Sequence, residues 1–173
     1  MTMPDPRIGN TIDLFQRIYL RGIPPIITDE SAFLSFICVI TAVEALSGYR
    51  FGGRGVAERF KKFIQMYFPN EYHPLTSDLW QFRTKMVHAF SPGPFTLMHH
   101  NGEMHLDDNN GSVILNAEDF FNDLKLASET YFNELRGNVN LQNIMLHRLA
   151  QYHGGAIAVI PVITGILSAG EEQ

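Results

Sequence analysis

The stretch Leu79–Pro94, "LWQFRTKMVHAFSPGP", decides how this chain is read. Apolar residues flank Arg83 and His88 on both sides, and Thr76 or Ser77 stands ready to cap a helix ahead of them. The Ser91-Pro92-Gly93-Pro94 break then stops that helix. On a helix of 3.6 residues per turn the two polar residues lie about 140° apart in projection, and the reach of arginine still lets both flank one groove. Such a pair suits phosphodiester chemistry. Imidazole trades a proton near neutrality, taking one from a ribose 2′-hydroxyl or giving one to a leaving oxygen. Guanidinium supplies fixed positive charge to a phosphate whose negative charge is shifting. The ordinary alternative is an arginine in a salt bridge and a histidine at a helix C-terminus, where a cation is mildly favoured. Spacing alone does not choose between them, because Arg148 and His153 repeat it.

Working outward, the neighbouring segments predict an all-helical N-terminal half. Asn10 or Thr11 caps a helix through "TIDLFQRIYLRG", with Ile12, Phe15, Ile18 and Tyr19 on one face and Gly22 at its end. Thr28 or Asp29 caps a longer helix, roughly Glu30 to Leu46, apolar nearly all round and so central. A lone Glu44 on it must find a partner if buried, with Arg83 and the more local Arg50 as candidates. The loop "SGYRFGGRG" lacks the Lys-Ser/Thr ending of a phosphate-binding P-loop. The third helix, "VAERFKKFIQMYF", closes at Pro69. Beyond the central stretch, "FTLMHH" and "EMHLD" flank Asn101-Gly102 as a predicted β-hairpin, and "SVILN" follows as a third strand. Asn116 then caps a helix from about Ala117 to Leu135, and a shorter one runs from about Leu141 to Tyr152.

Composition limits the rest. A chain of 173 residues, 45% hydrophobic and 18% charged, is long and apolar enough for one domain with a real core. A net charge of −5 excludes a bulk nucleic-acid coat or a polybasic membrane binder. The segment from Arg50 to Lys85 is locally basic, which suits one anion site; Arg54, Lys62 and Lys85 are its candidate phosphate or RNA contacts. Thirteen phenylalanines point to tight helix packing or an aromatic-rich interface. The single Cys38 sits in the apolar run "FICVITAV" and reads as an inert thiol in a reducing cytoplasm. "AFLSFICVITAVEAL" is about fifteen residues long and broken by Glu44, short of a membrane span of roughly 20 residues. The tail 154–173 is apolar and glycine-punctuated, and reads as packed on the 1–153 domain or on a second subunit.

The sequence "FRTKMVHAF", following an "AVEAL" helix and a loop in a helical chain, resembles the HEPN superfamily, whose members carry an Arg-x(4–6)-His motif. The resemblance covers roughly Thr28 to Leu135. It implies a mainly α fold, a four- to five-helix bundle, into which the small β-hairpin or three-stranded segment read near 95–116 would be an insertion. It also implies a homodimer in which Arg83 and His88 of both subunits line a shared cleft, cutting RNA without metal or cofactor as toxins and defence nucleases of that superfamily do. Arg83 would then stabilise phosphate and His88 would act as general acid and base. Thr84 stands where members often have Asn, Asp or His, and Glu44 would orient Arg83. A second reading is a non-catalytic helical module that binds another protein through its phenylalanines and apolar tail. A third is a metal-dependent hydrolase. In the predicted hairpin, alternation puts His100, Glu103 and His105 on one face and His99 on the other, and two His and a Glu can hold zinc.

Overall fold

The computed structural model describes residues 5–53 and 55–151. Six α-helices enclose the core: α1 (Pro6–Phe15), α2 (Ala32–Phe51), α3 (Val56–Tyr67), α4 (Thr76–Ala89), α5 (Ala117–Gly137) and α6 (Val139–Gln151). Each matches a helical segment read along the sequence, and together they exceed the four or five of the bundle that the resemblance implies. The first helix begins earlier than expected, at Pro6 behind an Asp5 cap, and gives way to a π-helical turn over Gln16–Leu20. Its buried face is therefore Ile8, Ile12 and Phe15, and Ile18 is exposed.

The central helix is α2, which contacts α3, α4, α5 and α6. Phe36, Val39, Ile40, Val43 and Leu46 are all buried, as its all-round apolarity predicts. With 20 residues it runs further than expected, and by length and composition alone it is long enough to cross a membrane. In this fold 56% of its most apolar window is buried against the other helices. Against α2, α5 sets Phe120, Leu124, Tyr131 and Leu135, spaced four or seven apart so that they share one face. Nearly all buried apolar residues join a single core, rich in aromatic contacts such as Phe36 with Phe82 and Phe63 with Tyr131.

Between α4 and α5 lies a three-stranded sheet, β1 (Phe95–Met98), β2 (Asp108–Asn109) and β3 (Ser112–Asn116), in the order β1–β3–β2. Here the predicted hairpin is corrected. Asn101-Gly102 does not turn β1 back on itself; Gly102–Met104 forms a 3-10 turn and β1 pairs in parallel with β3, Phe95 opposite Val113. The hairpin belongs to the second Asn-Gly of the segment. Asn110 and Gly111, at φ 54° and 87°, join β2 to β3 in antiparallel register, and the Gly111 N–H is held by Asp108 Oδ1 at 2.8 Å. Both dipeptides carry the turn signal, but only the second is followed at once by a strand, "SVILN", whose inner residues are buried.

Candidate functional site

Helix α4 buries Leu79, Phe82 and Met86, and Arg83 emerges beside that stripe. Its Nε donates to Glu44 Oε2 of α2 at 2.7 Å, and its guanidinium lies over the Trp80 ring, 5.4 Å from the centroid. Of the two partners foreseen for Glu44, the fold selects Arg83; Arg50 instead donates to Tyr67 and Glu134. The Arg83 and Glu44 side chains are 25% and 23% exposed, so water and an anion can still reach them. The two terminal nitrogens of Arg83 make no hydrogen bond among the described residues. One edge of the guanidinium is anchored and the other is open.

His88 is exposed on the last turn of α4. Within one chain no hydrogen bond joins it to Arg83. Thr84, one turn before it, donates its hydroxyl to the Trp80 carbonyl at 3.1 Å. Lys85 is exposed on the same helix, Lys62 lies over the Phe51 ring, and Arg54 is outside the described residues. Among the described residues the basic segment is thus spread over several partners and forms no single patch: Arg59 is buried with one nitrogen toward the Gly52 carbonyl, and Lys61 donates to Ser77. Next to His88, Val87 is half exposed and Phe90 is 76% exposed, with its ring against Phe33. Phe90 also holds a left-handed backbone, φ 51°, as the N–H groups of Phe90 and Ser91 both return to the Lys85 carbonyl. A bulky side chain in that conformation is a true outlier. Of the rival pair, Arg148 lies across Gly48 of α2 and His153 is outside the described residues, as is the tail 154–173.

The predicted metal trio of His100, Glu103 and His105 is not assembled. Its geometry assumed the Asn101-Gly102 hairpin, and the loop that replaces it sends each residue elsewhere. His105 turns toward the bundle: its Nδ1 accepts the Asn116 N–H at 3.0 Å, so the ring proton sits on Nε2 and points to the Tyr72 oxygen at 2.8 Å. Tyr72, fully buried, donates to Asp123 Oδ2 at 2.7 Å, and burial with the Asp123 charge raises its hydroxyl well above the ordinary tyrosine value. Glu103 is exposed. His100 instead joins His99 and Asp29, whose ligand atoms all lie within 4.8 Å of one another. Sequence reasoning missed Asp29 and Glu118 here because both are far from His99 in the chain; their only local signal is an acidic side chain near a helix start, Asp29 ahead of the Ser31 N-cap of α2 and Glu118 in the first turn of α5. Cys38 is half-buried, and burial pushes its thiol up, as an inert thiol requires.

Comparison with known proteins finds no matching family model, no matching curated protein and no matching solved structure.

Proposed function

We propose that this chain is an HEPN-like RNA-cleaving protein that works as a homodimer, with Arg83 and His88 of both copies facing one cleft. The observation that carries the reading is the state of Arg83: anchored through Nε by Glu44, backed by Trp80, and open at its terminal nitrogens. A guanidinium held on one edge loses little further entropy when it grips a phosphate with the other. His88 stands in the last turn of the same helix, exposed and accessible to substrate. In this scheme His88 takes the 2′-hydroxyl proton and returns one to the leaving 5′-oxygen, while Arg83 holds the phosphate, so the chemistry calls for no metal. Val87 and Phe90 supply the subunit contact. A strained, exposed phenylalanine is costly in a lone chain and useful where a second copy covers it. A toxin or defence nuclease of the cytoplasm is the setting that fits.

The test is RNA cleavage by the purified protein in EDTA. The expected result is cleavage that falls at least a hundredfold in both His88→Ala and Arg83→Ala, with circular dichroism unchanged. Full activity in His88→Ala removes that residue from the mechanism. A second reading, a non-catalytic module that binds another protein, is favoured by the same Val87–Phe90 surface. It expects no turnover in any variant and a stable complex lost in Phe90→Asp.

A further inference from the structure

We infer that Asp29, His99 and His100 form a binding site for one divalent transition-metal ion of the zinc class, with Glu118 steadying His100 from outside. The site shares no residue with Arg83 and His88 and does not depend on RNA cleavage. His99 Nε2 and His100 Nε2 lie 3.3 Å and 3.9 Å from the same oxygen, Asp29 Oδ1. Ligand bonds of about 2.0–2.1 Å in a tetrahedron place donor atoms roughly 3.3–3.4 Å apart. The carboxylate and the first imidazole already have that separation, and the second lies about half an ångström beyond it.

Donor chemistry selects the class of ion. Two imidazole nitrogens with one carboxylate oxygen suit zinc and its neighbours, whereas magnesium and calcium ask for oxygen ligands. The surroundings of His100 follow the arrangement of a metal-bound histidine. Its Nδ1 lies 3.0 Å from Glu118 Oε1, which leaves Nε2 for the ion. Glu118 is fixed in turn, because its two oxygens also receive the His100 backbone N–H at 3.1 Å and 3.2 Å. It sits in the first turn of α5.

The backbone explains how two adjacent histidines come to one place. Along a strand neighbouring side chains point to opposite faces. His100 leaves that pattern with φ 66°, and its ring comes within 4.1 Å of the His99 ring, centroid to centroid. Asp29 and His100 are largely exposed, so a fourth coordination position opens to water. The ion would tie the loop before α2 to the end of β1, with α5 behind it.

Isothermal titration of the full chain, stripped with chelator and dialysed, tests the site using zinc chloride and magnesium chloride separately. One equivalent of zinc per chain is expected, with a dissociation constant of about 1 µM or tighter, and no magnesium binding at that concentration. The His99→Ala/His100→Ala double variant should lose at least a hundredfold in zinc affinity. Glu118→Gln should lose about tenfold to a hundredfold, and His147→Ala on α6 should lose none. Asp29→Ala, at an exposed loop position, should weaken binding at least tenfold and repeats the test should the double variant fold poorly. Absence of stoichiometric zinc binding to the natural chain overturns the site, leaving two histidines that only pair with an aspartate. Undiminished zinc affinity in the double variant or in Asp29→Ala overturns it equally.

Discussion

Glu44 holds Arg83 by a single bond at 2.7 Å between two side chains that are each about three-quarters covered. Such a pair contributes little to stability, on the order of 1 kcal/mol or less, because water competes for both partners. Glu44→Ala should therefore leave the urea midpoint nearly unchanged. Under the proposed function its larger effect is orientation, so the same variant should lower RNA cleavage at least tenfold, mainly in kcat, with partial recovery in Glu44→Gln, whose amide oxygen can still accept from Nε. A large loss of stability with proportionate loss of activity would make Glu44 a structural residue only. Gly102 offers a second test at this scale. A Cβ there would stand 2.7 Å from Asp119 Oδ2, closer than such atoms approach. The atom met is the end of a flexible side chain that can turn aside, so Gly102→Ala should cost on the order of 1 kcal/mol or less, measured by chemical denaturation. In an Asp119→Ala background most of that cost should disappear, since the clash and the side chain that causes it leave together.

The elements were legible where one signal decided them. Asn116 caps α5 as its position before the apolar run predicts, accepting from the N–H groups of Glu118 and Asp119 at 3.1 Å and 3.2 Å. The sheet was legible only in part. Asn101-Gly102 was read as the hairpin turn, and what overrides it is the burial of Ile114 and Leu115 together with the hold on His105 of Tyr72 and Asp123, both far from the turn in sequence. His105 is the latch between the insertion and the bundle, since one ring nitrogen takes the β3-end N–H of Asn116 and the other meets Tyr72. His105→Ala leaves the Asn116 N–H without its acceptor in a nearly buried place. It should cost about 1–3 kcal/mol, and hydrogen exchange should quicken in β3 and the first turn of α5 before it does in α2. Exchange that quickens uniformly would mean that the insertion and the bundle open as one unit.

At the scale of the whole molecule, the core was foreseeable because α2 is apolar nearly all round and apolar residues recur with helical spacing in α5, and both signals are local. The exposure of Val87 and Phe90 was not, because which part of α4 stays uncovered depends on elements distant in sequence. The density of aromatic rings has a consequence for the entire fold. Tyr67 is pushed up to about 12, first by burial and then by its bond to Glu134, with Arg50 opposing. Burial also raises Tyr72 and Tyr131, and to a lesser degree Tyr19 and Tyr49. An unfolded tyrosine loses its proton near pH 10, whereas the folded chain keeps these hydroxyls protonated beyond it. Between that pH and about 12 the native state binds more protons than the unfolded state, so stability falls as pH rises; below pH 10 this contribution is fully present. The urea midpoint should thus hold steady to about pH 9 and then decline steeply, with tyrosinate absorbance growing in step with loss of helical circular dichroism. Tyr67→Phe removes one of the titrating groups and should flatten that decline. Tyrosines that ionise freely in the folded protein, with helix content intact and an unchanged midpoint, would show that the rings are not sealed in the core as this structure has them.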